Sequence, residues 1–360
     1  MRKPLQLIIN PGSTTTKLSV YQDTEELNTC TIDHSSSDLS VFPTISSQKA
    51  YRLNLIEEYL GRQNISAHQL DIIMGRGGLL HSLQGGVYRI SPGMLSDLDA
   101  ARYGEHASNL GASLAYETAA AAGCSSYIAD PVVVDEMKPE ARLTGLPELE
   151  RKSIFHALNQ KIAARETAEK IGKPYEESRL IVAHLGGGIS VGAHLNGKVI
   201  DVNNALDGEG PFTPERSGGL PSGDLARLCF SGVQTQDEIQ KRICRTGGML
   251  AYLGTSDMRQ IIQMASEKID NKALLCIQAM VYQIAKEIGA LAPVLFGQID
   301  AIVLTGGMAH SSEIIEMLKK RISFLAPIVV IPGEREMFSL AENGSAVYHG
   351  RREVLEYECF

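Results

Sequence analysis

The stretch LIINPGSTTTKLSVY, residues 7–21, decides the fold that the sequence predicts. An apolar run leads into a turn at Gly12, and a second apolar run follows the turn. Glycine leaves the backbone N–H groups of such a turn uncovered, and a concave row of N–H groups suits phosphate oxygens. Ser13 and Thr14 add hydroxyl donors to the turn, and Lys17 adds a positive charge.

Two more glycine turns follow apolar strands later in the chain. Residues 182–202 repeat the strand–turn–strand pattern around Gly186–Gly188, about half a chain after the first, which is a faint sign of duplication. Residues 302–310 carry Gly306 and Gly307 ahead of a helical pattern. None of the three fits a GxxxxGKS/T or GxGxxG fingerprint, and one alone would be an ordinary hairpin turn. Three together indicate a phosphate-bearing ligand.

The composition is that of a globular chain with a mildly acidic balance. Its 360 residues allow two domains, and 34 Lys and Arg against 42 Asp and Glu give a net charge of −8. This charge argues against nucleic-acid and membrane partners, which favour basic surfaces. The N-terminal apolar run is too short for a signal peptide, and we expect no membrane span. The six cysteines form no CxxC or CxxH pair, so we expect reduced thiols and a cytoplasmic protein.

Strand and helix patterns alternate along the chain, which is typical of α/β proteins. Short β-branched runs that end at Gly, Pro, Asn or Asp predict buried strands at residues 5–10, 71–75, 126–130, 179–184, 300–305 and 327–332. Longer runs predict helices at residues 50–62, 153–172 and 272–296. Thr235 and Glu238 have the spacing of a capping box, which predicts the start of a further helix.

The glycine turns carry a resemblance to a known superfamily. INPGSTTTK (9–17), HLGGG (184–188) and LTGGM (304–308), in that order, resemble the phosphate and adenosine motifs of the acetate/sugar kinase, Hsp70 and actin superfamily. Within it, the chain resembles the acetokinase family along nearly its whole length. The motifs that resemble butyrate kinases more closely than acetate kinases are EHASNLG (105–111), RKSIFHALN (151–159), GPFTPERSGGLPSGDL (210–225) and IPGEREM (331–337).

This resemblance implies an α/β fold of two actin-like (ribonuclease H-like) domains with a nucleotide cleft between them. The first domain is expected at residues 1–132 plus 334–360, closed by a C-terminal helix at roughly residues 337–355. The second is expected at residues 133–333 and would carry most nucleotide contacts. Because members of the family are generally dimeric or larger, we expect a homodimer or a larger homo-oligomer.

The family reaction is the reversible, in-line transfer of the γ-phosphoryl group of ATP to a carboxylate, which gives ADP and an acyl phosphate. The resemblance therefore implies a phosphotransferase with a carboxyl group as acceptor, with ATP/ADP and Mg²⁺ as cofactors and butyrate as the expected acid. An acetate/propionate kinase, or a kinase of branched acids such as isobutyrate, is the alternative. A non-catalytic or polymerising actin-like ATPase is a remote alternative.

Two arginines are the candidate cationic groups. Arg76 corresponds to a family arginine at the acyl and phosphoryl groups, where a guanidinium fork pairs with carboxylate or phosphate without losing its charge. Arg216, the one arginine of FTPERSGGLPSGD, would replace a second family arginine from a shifted position. Gly77 and Gly78 stand where acetate kinases have two valines, so we expect them to enlarge the acyl pocket; the alternative is that they serve a turn.

One aspartate and two histidines complete the catalytic candidates that the resemblance implies. Asp130 matches the family's active-site aspartate and would orient the acid or help hold Mg²⁺. It is not expected to be a general base, because a carboxylate substrate is already ionised at pH 7. His156 resembles a histidine that donates to the transferring phosphoryl group, and His106 is the second such candidate. His184 either is structural or lines the phosphate groove.

The resemblance also places Asn10 and Ser13 near the phosphates and their metal, and it leaves the role of Lys17 open. Glu334 and Glu336 flank the position of a metal-linked glutamate, and one carboxylate would suffice because Mg²⁺ retains waters. The metal candidates are Asn10, Asp130, Glu334 and Glu336. The nucleotide candidates are Asn10, Gly12, Ser13, Thr14, Lys17, His184, Gly186, Gly187, Gly188, Gly306 and Gly307.

Overall fold

A computed structural model describes residues 2–266 and 271–359 of the chain. The described residues form two compact units, each with its own hydrophobic core. Unit 1 extends from the N-terminus to Val134 and resumes at Arg335, and unit 2 is Asp135–Glu334. Met1 and Phe360, which the predicted first domain includes, lie outside the described residues.

Unit 1 is built around one sheet. Its strands are β1 (Leu5–Pro11), β2 (Thr15–Gln22), β3 (Glu25–Asp33), β4 (Ile72–Arg76), β5 (Val87–Arg89), β6 (Ser125–Ala129) and β12 (Val354–Leu355). They lie in the order β12-β5-β6-β4-β1-β2-β3. β1, β4 and β6 are parallel neighbours, whereas β1, β2 and β3 form an antiparallel meander. The strands predicted at 5–10, 71–75 and 126–130 are confirmed as β1, β4 and β6.

Helices cover both faces of this sheet. The helices of unit 1 are α1 (Ser36–Ser40), α2 (Lys49–Arg62), α3 (Pro92–Asp99), α4 (Asn109–Ala122) and α13 (Glu336–Tyr348). Successive residues of a strand point to opposite faces. In β4, the Cβ position of Gly75 faces α4. The side chain of the preceding residue, Met74, contacts the Cβ position of Gly344 in α13. α4 and α13 therefore pack on opposite faces of the same strand.

Glycines allow both helices to approach the sheet closely. A Cβ on Gly75 would collide with the carbonyl oxygen of Gly111 in α4, and a Cβ on Gly111 would collide with the carbonyl oxygen of Arg76. On the other face, a Cβ on Gly344 would collide with Oε1 of Gln6. A larger residue at any of these positions would push a helix away from the strands.

Unit 2 has a five-stranded sheet of related topology. Its strands are β7 (Arg179–Leu185), β8 (Ile189–Leu195), β9 (Lys198–Val202), β10 (Ala301–Gly306) and β11 (Ile328–Pro332), in the order β11-β10-β7-β8-β9. An antiparallel meander is followed by two parallel strands, as in β3-β2-β1-β4-β6 of unit 1. The faint duplication in the sequence thus corresponds to the hairpins β1–β2 and β7–β8.

Helices also cover both faces of the unit 2 sheet. The helices of unit 2 are α5 (Pro139–Arg142), α6 (Ala157–Lys170), α7 (Ser222–Cys229), α8 (Gln236–Cys244), α9 (Gly248–Leu253), α10 (Met258–Ser266), α11 (Asn271–Leu291) and α12 (Ser312–Ile322). α6 packs its alanines against β7 and β10, and α11 and α12 pack on the opposite face. The capping box of Thr235 and Glu238 is confirmed at the start of α8.

The long helix of unit 2 has the properties of a core helix. In the described part of the chain, Asn271–Leu295 is the one helical segment long and apolar enough to cross a membrane, and 44% of its apolar stretch is buried. Its buried side chains recur every three or four residues and belong to the main core of the unit. This spacing is typical of a helix that packs one face on a sheet.

The helix predicted at 153–172 begins later than expected, since α6 is Ala157–Lys170. The backbone N–H of Ala205 donates to the carbonyl oxygen of Ile154 at 2.9 Å, which holds the preceding residues in a loop. His156 therefore lies directly before the first turn of α6.

Two other predicted helices end earlier than expected. α11 ends at Leu291 rather than 296, because Pro293 cannot continue an α-helix. The C-terminal helix predicted to reach 355 ends at Tyr348, before Gly350 with a φ of +67°. The tail then forms β12, which pairs with β5.

The close contact of α4 with β4 can be tested with Gly111→Ala. We expect a loss of about 1–3 kcal/mol of stability, because the new methyl group meets the backbone of Arg76, which cannot move aside like a flexible side chain. Gly289→Ala in α11 is the matched control, since its Cβ would meet nothing within 4 Å and alanine is the better helix former by roughly 1 kcal/mol. In urea and thermal unfolding, the midpoint should fall for Gly111→Ala and rise for Gly289→Ala. Equal losses of stability in the two variants would contradict the contact.

Candidate active site

Three predicted site residues lie at one edge of the unit 1 sheet. Asn10 is close to the end of β1, Arg76 ends β4, and Asp130 directly follows β6. These strands are parallel neighbours, so their carboxyl ends meet at one edge, where ligands of open α/β sheets bind. Lys17 lies opposite Asn10 in the β1–β2 ladder, so the two side chains leave the same face of the sheet.

Two partners hold the guanidinium of Arg76. Nη2 forms an ion pair with Oε1 of Glu336 at 3.1 Å, and Nη1 donates to Oδ1 of Asn10 at 3.2 Å. Nδ2 of Asn10 in turn donates to Oε2 of Glu336 at 2.8 Å. The side chain of Arg76 is 31% exposed and that of Glu336 is 13% exposed. The fork is therefore fixed in place while part of it stays open to a ligand.

Asp130 is held in a left-handed backbone conformation, which few residues other than glycine adopt. Its φ is +37°, which costs a non-glycine residue of the order of 1–3 kcal/mol, and such residues cluster at functional sites. Its Oδ1 accepts a hydrogen bond from the N–H of Gly86 at 2.9 Å, and its own N–H donates to the carbonyl oxygen of Gly86 at 2.9 Å. These two hydrogen bonds with the backbone of Gly86 fix Asp130 and its buried carboxylate at the sheet edge.

The β1–β2 turn carries its predicted polar groups at the tip. The N–H of Gly12 donates to the carbonyl oxygen of Thr15 at 2.8 Å and closes the turn. Ser13 and Thr14 are exposed. The turn thus offers two hydroxyl groups beside the carboxyl end of β1, within reach of an anionic ligand.

A buried arginine behind this turn was missed by the sequence reasoning. Arg52 is fully buried, and its Nη1 donates to the carbonyl oxygen of Thr15 at 3.1 Å and to Oγ1 of Thr16 at 2.8 Å. Its Nε and Nη2 donate to Oε1 of Gln48. Burial and the charge of Arg52 lower the pKa of His34. A guanidinium on these neutral acceptors contributes positive potential behind the turn.

Gly77 and Gly78 serve packing, which corrects the expectation that they enlarge a pocket. A Cβ on Gly77 would lie 2.6 Å from Cβ of Pro131, and a Cβ on Gly78 would lie 2.6 Å from Cα of Asn109. The space that side chains would occupy is already filled. Oδ1 of Asn109 also accepts from the N–H of Leu79 at 2.9 Å, which anchors this loop.

His106 lies in the loop that leads into α4. Its Nδ1 accepts from the N–H of Ser108 at 3.2 Å and lies 2.8 Å from the Oγ of the same residue. The side chain is exposed. Its role at the phosphoryl group stays a prediction.

In unit 2, the β7–β8 turn is a glycine cradle next to a cation. The N–H of Gly186 donates to the carbonyl oxygen of Gly188 at 3.1 Å, and Oγ1 of Thr213 donates to the carbonyl oxygen of Gly187 at 2.6 Å. The guanidinium of Arg216 packs directly on Gly188, where a Cβ would collide with its Nη1. Burial lowers the pKa of Arg216 from its usual value. The structure thus brings Arg216 to the predicted phosphate turn.

His156 and His184 stack beside this turn. Their ring centroids are 3.8 Å apart and the rings are inclined by 9°. Nδ1 of His156 lies 2.9 Å from Oγ of Ser190, and Nδ1 of His184 lies 2.8 Å from Nδ2 of Asn159. Nε2 of His184 faces Gly186, since a Cβ there would be 2.8 Å away. The sequence reasoning missed Ser190 and Asn159, although Asn159 closes the RKSIFHALN motif.

A cavity of about 620 Å³ opens beside the same turn, large enough for a nucleoside. A Cβ on Gly307 would meet nothing within 4 Å, whereas Gly306, with a φ of +92°, packs on the backbone of Leu185. Most of the lining was missed by the sequence reasoning. The lining residues are Gly186, Gly187, Pro214, Glu215, Ser256, Asp257, Met258, Arg259, Ile262, Gly307, Met308, His310, Ser311 and Glu334.

The structure separates the two candidate glutamates. Glu336 bonds to Asn10 and Arg76 in unit 1, whereas Glu334 lines the cavity of unit 2. Among the described residues, no group of three or more His, Cys, Asp or Glu side chains is placed to hold a metal ion. Mg²⁺ commonly binds through one or two carboxylates plus substrate phosphates, so the oxygen atoms of Glu336 and Asn10 fit this ion.

Comparison with known proteins covers nearly the whole chain. A family model described as the acetokinase family matches residues 137–330. Butyrate kinase 2 and butyrate kinase 1 of Clostridium acetobutylicum are 51% and 47% identical over 352 residues, which cover 98% of this chain and 99% of each relative. The crystal structure of Porphyromonas gingivalis acetate kinase, 19% identical, superposes with a TM-score of 0.77, covers 96% of this chain and 100% of that chain, and shows the same fold. The chain belongs to the acetokinase family.

Proposed function

We propose that this protein transfers the γ-phosphoryl group of ATP to butyrate, in a reversible reaction that gives butyryl phosphate and ADP. The observation that carries the proposal is the Arg76 fork, which Glu336 and Asn10 fix at the carboxyl edge of the unit 1 sheet. The butyrate kinases of C. acetobutylicum, 51% and 47% identical over 352 residues, support the choice of acid.

The acid binds through its carboxylate to the exposed part of Arg76. This carboxylate is ionised at pH 7, so its attacking oxygen needs orientation and no general base. Asp130, fixed by Gly86, limits where the acid can lie and completes the polar edge. Positioning of this kind is the main demand of phosphoryl transfer, whose loose transition state needs little covalent help.

Glu336 and Asn10 would hold Mg²⁺, with Asp130 as a further carboxylate of the same sheet edge. The bound ion would supply positive charge to neutralise the phosphate oxygens. Glu336 then has two tasks, because the same carboxylate fixes Arg76. The side chain of Asn10 links the two groups and keeps the guanidinium oriented.

Unit 2 holds the nucleotide. The cavity takes the adenosine, and the N–H groups of Gly186–Gly188 with the open backbone at Gly307 take the phosphates. His156 and His184 donate hydrogen bonds to the phosphate oxygens, and Arg216 supplies a second cation beside the turn. These donors are in place before charge develops on the transferring group, which is how such sites lower a barrier.

We also propose that the protein works in the cytoplasm as a homodimer or a larger homo-oligomer, without a nucleic-acid or membrane partner. The six cysteines are all free thiols, as is usual in a reducing compartment. The net charge of −8 disfavours polyanionic partners.

A panel of acids tests the proposed reaction. With ATP and Mg²⁺, and with the acyl phosphate trapped by hydroxylamine, kcat/KM for butyrate should exceed that for acetate by one to two orders of magnitude, because each buried methylene contributes about 0.8 kcal/mol. Propionate and isobutyrate complete the panel, and ATP without acid is the control. A preference for acetate would contradict the choice of butyrate. ATP hydrolysis that no acid changes would instead indicate an actin-like ATPase.

The two glutamates form a matched pair of variants. Glu336→Gln should lower kcat with butyrate by about 10²-fold, because the variant loses both the ion pair with Arg76 and the negative charge next to Asn10. Glu334→Gln removes the same charge two residues earlier and should affect mainly the KM for ATP, since Glu334 lines the cavity. The assay is initial rate against Mg²⁺ and ATP concentration. Equal effects on kcat would contradict the assignment of Glu336.

Variants of Arg76 test the fork itself. Arg76→Ala should lower kcat/KM by about 10³-fold, a loss of several kcal/mol of transition-state stabilisation. Arg76→Lys keeps the charge but loses the planar fork, whose two terminal nitrogens contact Glu336 and Asn10 separately, so it should recover little of the loss. Arg89→Ala is the control, because its ion pair with Glu356 is exposed. Full activity of Arg76→Lys would show that charge alone suffices.

A further inference from the structure

A chain of polar side chains lies behind His156, buried in unit 2. From the inside outward, the hydroxyl of Tyr175 lies 2.9 Å from Nδ1 of His194, and Nε2 of His194 lies 3.0 Å from Oε1 of Gln160. Nε2 of Gln160 lies 2.7 Å from Oγ of Ser190, which lies 2.9 Å from Nδ1 of His156. Gln160, Ser190 and His194 are fully buried. The cavity, the glycine turn and the cations of the site do not explain this chain.

The shape of β8 makes room for the chain. Ser190, Gly192 and His194 share one face of the strand, because side chains alternate. A Cβ on Gly192 would lie 2.7 Å from Oε1 of Gln160. The absence of a side chain at Gly192 therefore lets Gln160, on α6, reach Ser190 and His194 at once.

A backbone carbonyl fixes which way the amide of Gln160 points. Nε2 of Gln160 donates to the carbonyl oxygen of Ser190 at 3.0 Å, and a carbonyl can only accept. The amide oxygen must then face His194, so Nε2 of His194 carries a hydrogen. Burial and the positive charges of Lys161 and Arg165 hold the pKa of His194 well below its usual range. Nδ1 of this neutral ring accepts from Tyr175.

The hydroxyl group of Ser190 determines the direction of the last hydrogen bond, the one to His156. Its oxygen receives the second N–H of Gln160 at 2.7 Å, and the backbone N–H of His156 points at it from 3.5 Å. Both lone pairs of the oxygen are then in use. The hydroxyl hydrogen is free to donate to Nδ1 of His156 at 2.9 Å. A neutral imidazole that accepts at Nδ1 carries its hydrogen on Nε2.

The ring of His184, which stacks on that of His156, is held in the same way by different residues. Oγ1 of Thr305 donates to the carbonyl oxygen of Gly333 at 3.3 Å, so it accepts from Nδ2 of Asn159 at 3.2 Å. The other hydrogen of this Nδ2 goes to Nδ1 of His184 at 2.8 Å. His184 therefore also carries its hydrogen on Nε2, the atom that faces the glycine turn.

We propose that Ser190 and Gln160 are positioning residues, which hold His156 as the neutral Nε2–H tautomer so that this nitrogen donates a hydrogen bond to the transferring phosphoryl group. The proposal rests on the function proposed above for His156. All hydrogen bonds of the chain run in one direction, from Tyr175 through His194 to His156. The ring enters the reaction as an oriented donor, and no proton has to leave or join it.

The tautomer can be measured directly in the full-length protein. With ¹⁵N-labelled histidine, the resonances of His156, assigned by comparison with His156→Gln, should show a protonated Nε2 and a hydrogen-bonded, unprotonated Nδ1 at pH 7. A protonated Nδ1 in the wild-type protein would overturn the proposal. This measurement needs no substrate, so it remains readable even if no acid is phosphorylated.

Ser190→Ala tests the positioning role. We expect kcat to fall about 10- to 100-fold with little change in the KM values for ATP and acid, and the Nδ1 resonance of His156 to move toward that of a nitrogen without a hydrogen bond. The resonances of His184 should keep their positions, because Asn159 is intact. Ser190→Thr, which retains the hydroxyl group, should recover most of the activity.

Thr118→Ala in α4 is the control for lost stability, because it also removes one buried hydroxyl bond, from Oγ1 to the carbonyl oxygen of Leu114 at 2.7 Å. It should keep the wild-type kcat. A Ser190→Ala protein with a kcat within twofold of wild type and an unmoved Nδ1 resonance would refute the positioning role. If the wild-type protein phosphorylates no acid of the panel, the function proposed above fails instead.

Discussion

Gly75 and Gly111 let the backbone of α4 lie directly on β4, and this contact determines where Arg76 can be. Because strand residues alternate, Arg76 leaves the sheet on the face opposite to α4, where α13 supplies Glu336. Gly344 brings α13 close to that face in the same way. The position of the guanidinium is thus set by two close helix–sheet contacts, one between the backbones of α4 and β4 and one between Gly344 of α13 and the side chains of Gln6 and Met74.

Unit 2 positions its candidate catalytic groups by hydrogen bonds. Ser190, Gln160 and His194 are fully buried, and a buried polar group is costly unless it is bonded. A network in which every donor finds an acceptor admits few arrangements, so it specifies the orientation of a side chain more narrowly than apolar packing does. The glycine at Gly192 is needed here as well, because it gives Gln160 the space to reach both partners.

The sequence predicted β1, β4, β6, β7, β10 and β11 because buried strands are short, continuous apolar runs. It did not predict β3, β5, β9 or β12 as separate strands. α4 was not predicted, since its alanine-rich sequence has little contrast between an apolar and a polar face. The choice between Glu334 and Glu336 also needed the structure, because the partner of Glu336, Asn10, is 326 residues away along the chain. Arg52 and Ser190 act through contacts of this long-range kind, and their local sequence shows no sign of them.

The glycines near the candidate site include two physical classes that the sequence cannot distinguish. At Gly78, Gly111 and Gly344, the space that a side chain would take is filled by protein atoms, so these glycines serve packing. At Gly307 a Cβ would meet nothing within 4 Å, and at Gly187 it would meet one carboxylate oxygen at 4.0 Å. Both open positions line the cavity of unit 2 that is proposed to hold the nucleotide. Empty space at a Cβ position does not by itself indicate a ligand, because a Cβ on Gly289 in α11 would also meet nothing within 4 Å. The space is informative at Gly187 and Gly307 because these glycines also line a cavity, where open backbone can be approached by a ligand.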